Sequence, residues 1–245
     1  MLLRCIAAEN RKLRHSAIWA VFFVMPLISA AYGTFNYIQN IAVLQSEWYS
    51  LWTQHTLFYS LFFFAPMIAV YATYLWRLEH LENNWNFILS APVCPFCLYF
   101  AKFCVVAKMA LLTQGWVFLL YVACGKLWAR LPGWPPAQIA LWLLRGFAGS
   151  LVVVALQCLL SMVIRSFALP VLFALGGGIV GMLPASRGMA HFWPYALMLL
   201  GMNANRAEDA LTGGLGPFLA SCAAFAVVFC VIANRLLTRR DVHSS

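Results

Sequence analysis

Six stretches of this chain are each apolar over nearly the length needed to cross a hydrocarbon layer. A helix needs about 20 such residues for the crossing. The stretches run from about Ala17 to Ile38, Thr56 to Trp76, Phe103 to Cys124, Ala137 to Ile164, Phe167 to Leu183 and Pro217 to Ala233. The fifth is short and rich in glycine. Charge is scarce, at 9% of the 245 residues against 64% apolar, where a soluble domain carries about a quarter charged residues. Too few charges remain to cover a water-facing surface. The chain is therefore predicted to be an all-α polytopic integral membrane protein, one transmembrane domain over residues 1–245.

A seventh apolar piece, Phe192 to Met202, is too short to cross, and Pro194 with its polar neighbours suggests a re-entrant or interfacial segment. Basic residues then set the orientation. With both termini cytoplasmic, that side receives Arg4, Arg11, Lys12, Arg14, Arg77, Lys102, Arg165, Arg235, Arg239 and Arg240. The outside receives only Lys126, Arg130, Arg187 and Arg206. The net charge of +9 is spread over the flanks of apolar runs rather than along one stripe. That distribution fits anionic lipid headgroups and argues against nucleic acid. The basic start leads into a run long enough to span, without a small-residue cleavage site, so no cleavable signal peptide is expected.

Before the first span, Met1 to Ser16 reads either as a short amphipathic helix in the membrane interface or as an ordinary basic flank. Leu2, Leu3, Ile6 and Leu13 supply its apolar side; Arg4, Glu9, Arg11, Lys12 and Arg14 supply its polar side. The predicted outer loops are rich in aromatics: Trp48, Tyr49 and Trp52 in the first, Trp128 and Trp134 in the second, Trp193 in the third. An interfacial aromatic belt accounts for such residues, and Trp48, Tyr49 and Trp52 are also candidates for contact with an amphipathic ligand at the outer face. Gly177 and Gly181 form a small-x-x-x-small pair for close helix packing, within the chain or against a second subunit.

Little in the sequence assembles into catalytic chemistry. It has no G-x-x-x-x-G-K-S/T phosphate loop and no H-E-x-x-H, and its five histidines are far apart. Ser150 follows Gly149 but does not sit in a nucleophile elbow. Cys94 and Cys97 form a C-x-x-C pair, which offers two ligands where a structural zinc site takes four. The other six cysteines lie in or beside apolar runs, where a thiol behaves as a small hydrophobe. No metal site and no cofactor of the chain's own are expected. Lys108 lies near enough to a span end to snorkel. Arg145 lies deeper in the fourth span, and the neighbouring spans offer it no acidic partner. It is the candidate for lining a pathway or meeting another subunit.

Between the second and third runs the chain turns polar, over residues 77–102. Its Glu82-Asn-Asn-Trp85-Asn-Phe-Ile-Leu-Ser-Ala-Pro92-Val-Cys-Pro-Phe-Cys-Leu-Tyr-Phe-Ala-Lys102 resembles the connection between the second and third spans in permeases of type 2 ATP-binding-cassette exporters. The start, Ala8-Glu9-Asn10-Arg11-Lys12-Leu13-Arg14-His15, looks like the same family's amphipathic lead-in. Trp48, Tyr49 and Trp52 add similarity to the branch that gives bacteria self-immunity to lantibiotics.

The resemblance implies a transport permease, not an enzyme, in the bacterial cell membrane. It would work with a separate ATPase, which carries the ATP and Mg, and with a second permease chain as homo- or heterodimer. The coupling role of the connection then falls to Glu79, Glu82, Asn83, Trp85 and Asn86. Glu82 and Trp85 would share one face of a helix. The implied cargo is an amphipathic antimicrobial peptide. Export of a lipid, drug or other small molecule by the same architecture is the alternative, and a membrane scaffold or sensor is the alternative from another class.

Overall fold

A computed structural model describes residues 1–81, 94–211 and 213–239, with residue 239 described by its backbone alone. Every regular element among them is helical. A short α1 (Leu2–Lys12) precedes α2 (Ile18–Gln39). Then α3 (Glu47–Phe58) passes through a single π turn, Tyr59–Phe63, into α4 (Phe64–His80). The long α5 (Pro95–Leu127) and α6 (Ala137–Val163) follow, then α7 (Ala168–Ser186), a 3-10 turn at Ala190–Phe192, a short α8 (Pro194–Gly201) and α9 (Leu215–Arg239). Among the described residues six helices are long and apolar enough to cross a membrane: α2, α3 with α4 as one, α5, α6, α7 and α9.

The six predicted spans are all present, with two boundaries moved. The second begins at Glu47 rather than near Thr56, so Trp48, Tyr49 and Trp52 belong to a span and not to a loop. Gln54 and His55 depress the apolar signal there, yet their polar atoms are met inside the protein. His55 Nε2 lies 2.9 Å from Thr34 Oγ1, and Asn36 Nδ2 donates to Gln54 Oε1 at 2.5 Å. The third span begins at Pro95, whose missing N–H and fixed φ suit the first helical position. Arg77–His80 and Pro95–Lys102 are therefore helical, which shortens the predicted 77–102 connection from both ends.

The span built from α3 and α4 is the most buried, and α7 and α9 the least. Apolar burial does not drive helices together in lipid, so close approach at small residues matters more. A Cβ on Gly33 would lie 2.8 Å from the His55 Cα, and one on Gly149 would lie 2.5 Å from the Leu197 carbonyl oxygen. Gly178 rests on the Leu61 carbonyl in the same way. Buried polar pairs stitch the bundle further: Tyr71 to Thr113 at 3.1 Å, Thr73 to Ser161 at 3.0 Å, and Gln157 Nε2 to the Tyr195 hydroxyl at 2.7 Å.

The seventh apolar piece folds back into the bundle as the short α8. Trp193 Nε1 donates to the Gly177 carbonyl, well inside α7, at 3.0 Å. From that depth α8 returns along α6 to Gly201, where a Cβ would come within 2.4 Å of the Arg145 carbonyl oxygen. Tyr195, Ala196, Leu197, Met198, Leu199 and Leu200 are all buried. The pair Gly177 and Gly181 serves this packing, facing Tyr195 and Trp193 of the same chain.

Candidate functional site

In α1 and its C-terminal cap the residues Leu2, Ile6, Glu9 and Leu13 recur at the spacing of one helix face. That face turns inward, so the carboxylate of Glu9 is buried at 2% exposure while Leu3 is left 80% exposed. Both placements reverse the sequence expectation, which put Glu9 on the polar side and Leu3 on the apolar one. A carboxylate buried in this way requires counter-charges. They come from α1 itself and from the opening turns of α5.

Lys102 Nζ is wholly buried and donates to Glu9 Oε2 at 2.8 Å, Glu79 Oε1 at 2.7 Å and the Leu75 carbonyl at 3.0 Å. An ammonium has three N–H donors, and here each has an acceptor. The Trp76 ring lies 5.1 Å from the same nitrogen. Lys12 Nζ closes the ring, donating to Glu9 Oε1 at 2.6 Å and Glu79 Oε1 at 2.5 Å. Burial alone would pull the Lys12 ammonium down, but Glu9 and Glu79 together hold it above the ordinary lysine value. Two carboxylates and two ammoniums thus form a neutral cluster. It ties α1 to the last turn of α4 and the first turns of α5, the two elements that flank residues 82–93.

Neighbouring contacts reinforce the same attachment. Lys108 Nζ bonds Asn10 Oδ1 across to α1, so this lysine does more than reach for the interface. Trp19 Nε1 and Ser16 Oγ both donate to the Leu13 carbonyl, at 3.0 and 2.9 Å, fixing the turn into α2. His80 Nε2 lies 3.0 Å from the Ser161 carbonyl and docks the end of α4 on α6. Arg77 lies over the Phe167 ring at 5.8 Å.

Of the predicted coupling residues, Glu79 turns inward to this cluster rather than outward to a soluble partner. Glu82, Asn83, Trp85 and Asn86 lie outside the described residues. Lys102 was legible only as the residue opening a span, and its position inside an apolar run was the available signal. The inward stripe of α1 would have found Glu9.

The other candidates are placed elsewhere. Arg145, 7% exposed, is paired after all: Nη2 donates to Asp209 Oδ1 at 2.8 Å, from the loop between α8 and α9. Burial would raise the Asp209 carboxyl, but the bond and charge of Arg145 hold it below its usual value. Sequence distance hid the partner, because two helices separate it from Arg145. Trp48 and Trp52 are buried; Trp52 packs on Tyr121 and Trp142 and donates to the Met202 carbonyl at 3.0 Å. Trp48 donates to the Pro132 carbonyl at 2.8 Å, and Tyr49, half-buried, meets Gln138 at 3.3 Å. These aromatics fill the interior at this end, while Trp128 and Trp134 stand exposed. Cys94 is exposed just ahead of α5 and Cys97 lies in its first turn. Among the described residues no three metal-ligating side chains converge.

A family model described as ABC-2 family transporter protein matches residues 5–181. The chain belongs to the ABC-2 transporter family. The match runs from α1 into α7 and contains all four residues of the charge cluster, while α8 and α9 lie beyond it. No curated protein and no solved structure matches the chain significantly. As an ABC-2 permease the chain is a multi-pass membrane subunit of a transporter and carries no ATPase of its own. Permeases of this family pair with ATPase subunits.

Proposed function

We propose that this permease is the membrane domain of an exporter in the bacterial cell membrane, with both termini cytoplasmic and its ATPase docked at the α1 end. The observation that carries the reading is the buried cluster of Glu9, Lys12, Glu79 and Lys102. A force applied to the 82–93 connection passes directly into α4, α5 and α1 together, because one neutral cluster holds all three. In this reading Glu82, Asn83, Trp85 and Asn86 meet the ATPase, and the cluster conveys its closure to the spans. Nucleotide then biases two arrangements of the bundle. The exposed apolar faces of α2, α7 and α9 leave room for a second permease chain as well as for lipid.

The cargo we assign is an amphipathic antimicrobial peptide of the lantibiotic type, expelled from the membrane or its outer face. The sequence resemblance in the first hundred residues supports that assignment. With Trp48 and Trp52 buried, contact with such a peptide at the far end falls to Tyr49, Trp128 and Trp134.

One experiment tests both parts. Co-expressed with its ATPase, the permease should raise the tolerance of sensitive cells to a lantibiotic. The double substitution Glu82→Ala, Trp85→Ala should leave insertion intact but remove a contact worth on the order of 2 kcal/mol. Co-purification of the ATPase should weaken at least about tenfold, and the added tolerance should vanish. Undiminished ATPase association would refute docking on the connection. Intact association without any gain in tolerance would refute the cargo.

A further inference from the structure

Far from the charge cluster, the π turn of the second span, the last turn of α7 and the loop after α8 enclose a half-open cavity of about 90 Å³. Its walls are apolar, with Leu57, Leu61, Met182 and Leu199, and its rim carries Arg206. A π turn interrupts the regular helical ladder and is frequent at functional sites. Here it brings Ser60 and Leu61 to the cavity.

The rim is built rather than loose. Asn203 and Asn205 both adopt left-handed backbone, at φ 51° and 56°, a conformation asparagine tolerates better than most residues. Asn203 Nδ2 donates to the carbonyls of Arg206 at 3.1 Å and Glu208 at 2.8 Å, and its Oδ1 accepts the Ala210 N–H at 3.1 Å. The Asn205 N–H donates to Thr56 Oγ1 at 3.2 Å. Arg206 is aimed by Nη2 to the Ala185 carbonyl at 2.9 Å and Nη1 to the Ala210 carbonyl at 3.2 Å. Of the nearby carboxylates, Asp209 is taken by Arg145 and Glu208 is exposed. Among the described residues no carboxylate lies within ion-pair distance of Arg206. A guanidinium carries five donors suited to phosphate, and this one is held half-buried beside an apolar hollow.

We propose that this crevice binds an anionic phospholipid of the surrounding bilayer, its phosphate on Arg206 and the first carbons of an acyl chain between Leu61 and Met182. Size decides for a lipid over a soluble ligand. Sites that enclose a drug-sized molecule run to roughly 300–1,000 Å³, so most of any occupant here must lie outside the hollow. Met182 and Leu183, 46% and 54% exposed, extend the apolar wall onto the outer surface of α7 and give the remainder of the chain its track.

The test reconstitutes the full chain in nanodiscs of equal phosphatidylglycerol and phosphatidylcholine, each in turn carrying a photoreactive group high on one acyl chain. Adducts of the anionic lipid should concentrate on residues 57–61, 182–186 and 199–206. They should exceed those of phosphatidylcholine there by about tenfold. Arg206→Gln should erase the preference. Arg187→Gln, at an exposed arginine of the same end that does not line the cavity, should keep it. Should Arg206→Gln fail to fold, the map of the unsubstituted protein decides alone. Equal labelling by the two lipids, adducts spread evenly along α2, α7 and α9, or an unchanged preference in a folded Arg206→Gln would each overturn the proposal.

Discussion

Lys102→Met should leave a permease that inserts but scarcely holds its fold. The substitution removes an ammonium at zero exposure and leaves Glu9 and Glu79 buried with only Lys12 between them. Breaking a buried ion pair from one side costs about 3–5 kcal/mol, because an uncompensated charge stays behind. The purified variant should denature far earlier on heating in detergent than its parent. Adding Glu79→Gln should restore much of the loss, since the remaining Glu9 and Lys12 then balance. A Lys102→Met protein as stable as the parent would mean that the carboxylates find water or protons, and that the cluster holds nothing together.

Gly149→Val should dislodge α8. Its new Cβ would meet the Leu197 carbonyl oxygen at 2.5 Å and the Met198 Cα at 2.8 Å, both backbone atoms without a rotamer to change. Overpacking in an interior costs typically about 1–3 kcal/mol, and more where only backbone can yield. Because α8 also places Met202, whose carbonyl receives Trp52, the damage should spread to the packing of the second span. Protease should then cut within residues 195–202, which are buried in the parent. Gly176→Ala is the control, having nothing within 4 Å of its Cβ. Equal protection in Gly149→Val and the parent would show that α8 is not wedged against α6.

The contrast between these two sites shows what hydropathy can and cannot carry. Six spans were legible because length and apolarity are properties of single segments. Gly177 and Gly181 were legible because small-x-x-x-small is a local pattern, whereas Gly149 packs on Leu197 and Gly201 on Arg145, contacts between two helices that leave no local trace. The same holds for charge. Arg145 stood out as costly in a span, but Asp209 is separated from it by α7 and α8. The aromatic-rich start of the second span was misplaced into a loop because Thr53, Gln54 and His55 lower its apolarity. Gln54 and His55 find partners in Asn36 and Thr34 of α2, which only the fold supplies, while Thr53 is satisfied within its own helix. Glu9 was the recoverable miss, since its spacing with Leu2, Ile6 and Leu13 already placed it on the inward stripe.

The claim that α1 and the two helix ends flanking residues 82–93 move as one piece has a direct measurement. Spin labels on non-natural residues at Ala8 and Leu81, both exposed, report the distance between α1 and the end of α4 without disturbing the cluster. Pulsed electron resonance should give one narrow distance, the same in the permease alone and in complex with its ATPase locked by a non-hydrolysable nucleotide. Lys102→Met should broaden it. A distance that changes with nucleotide while Glu9, Lys12, Glu79 and Lys102 are all intact would contradict the account.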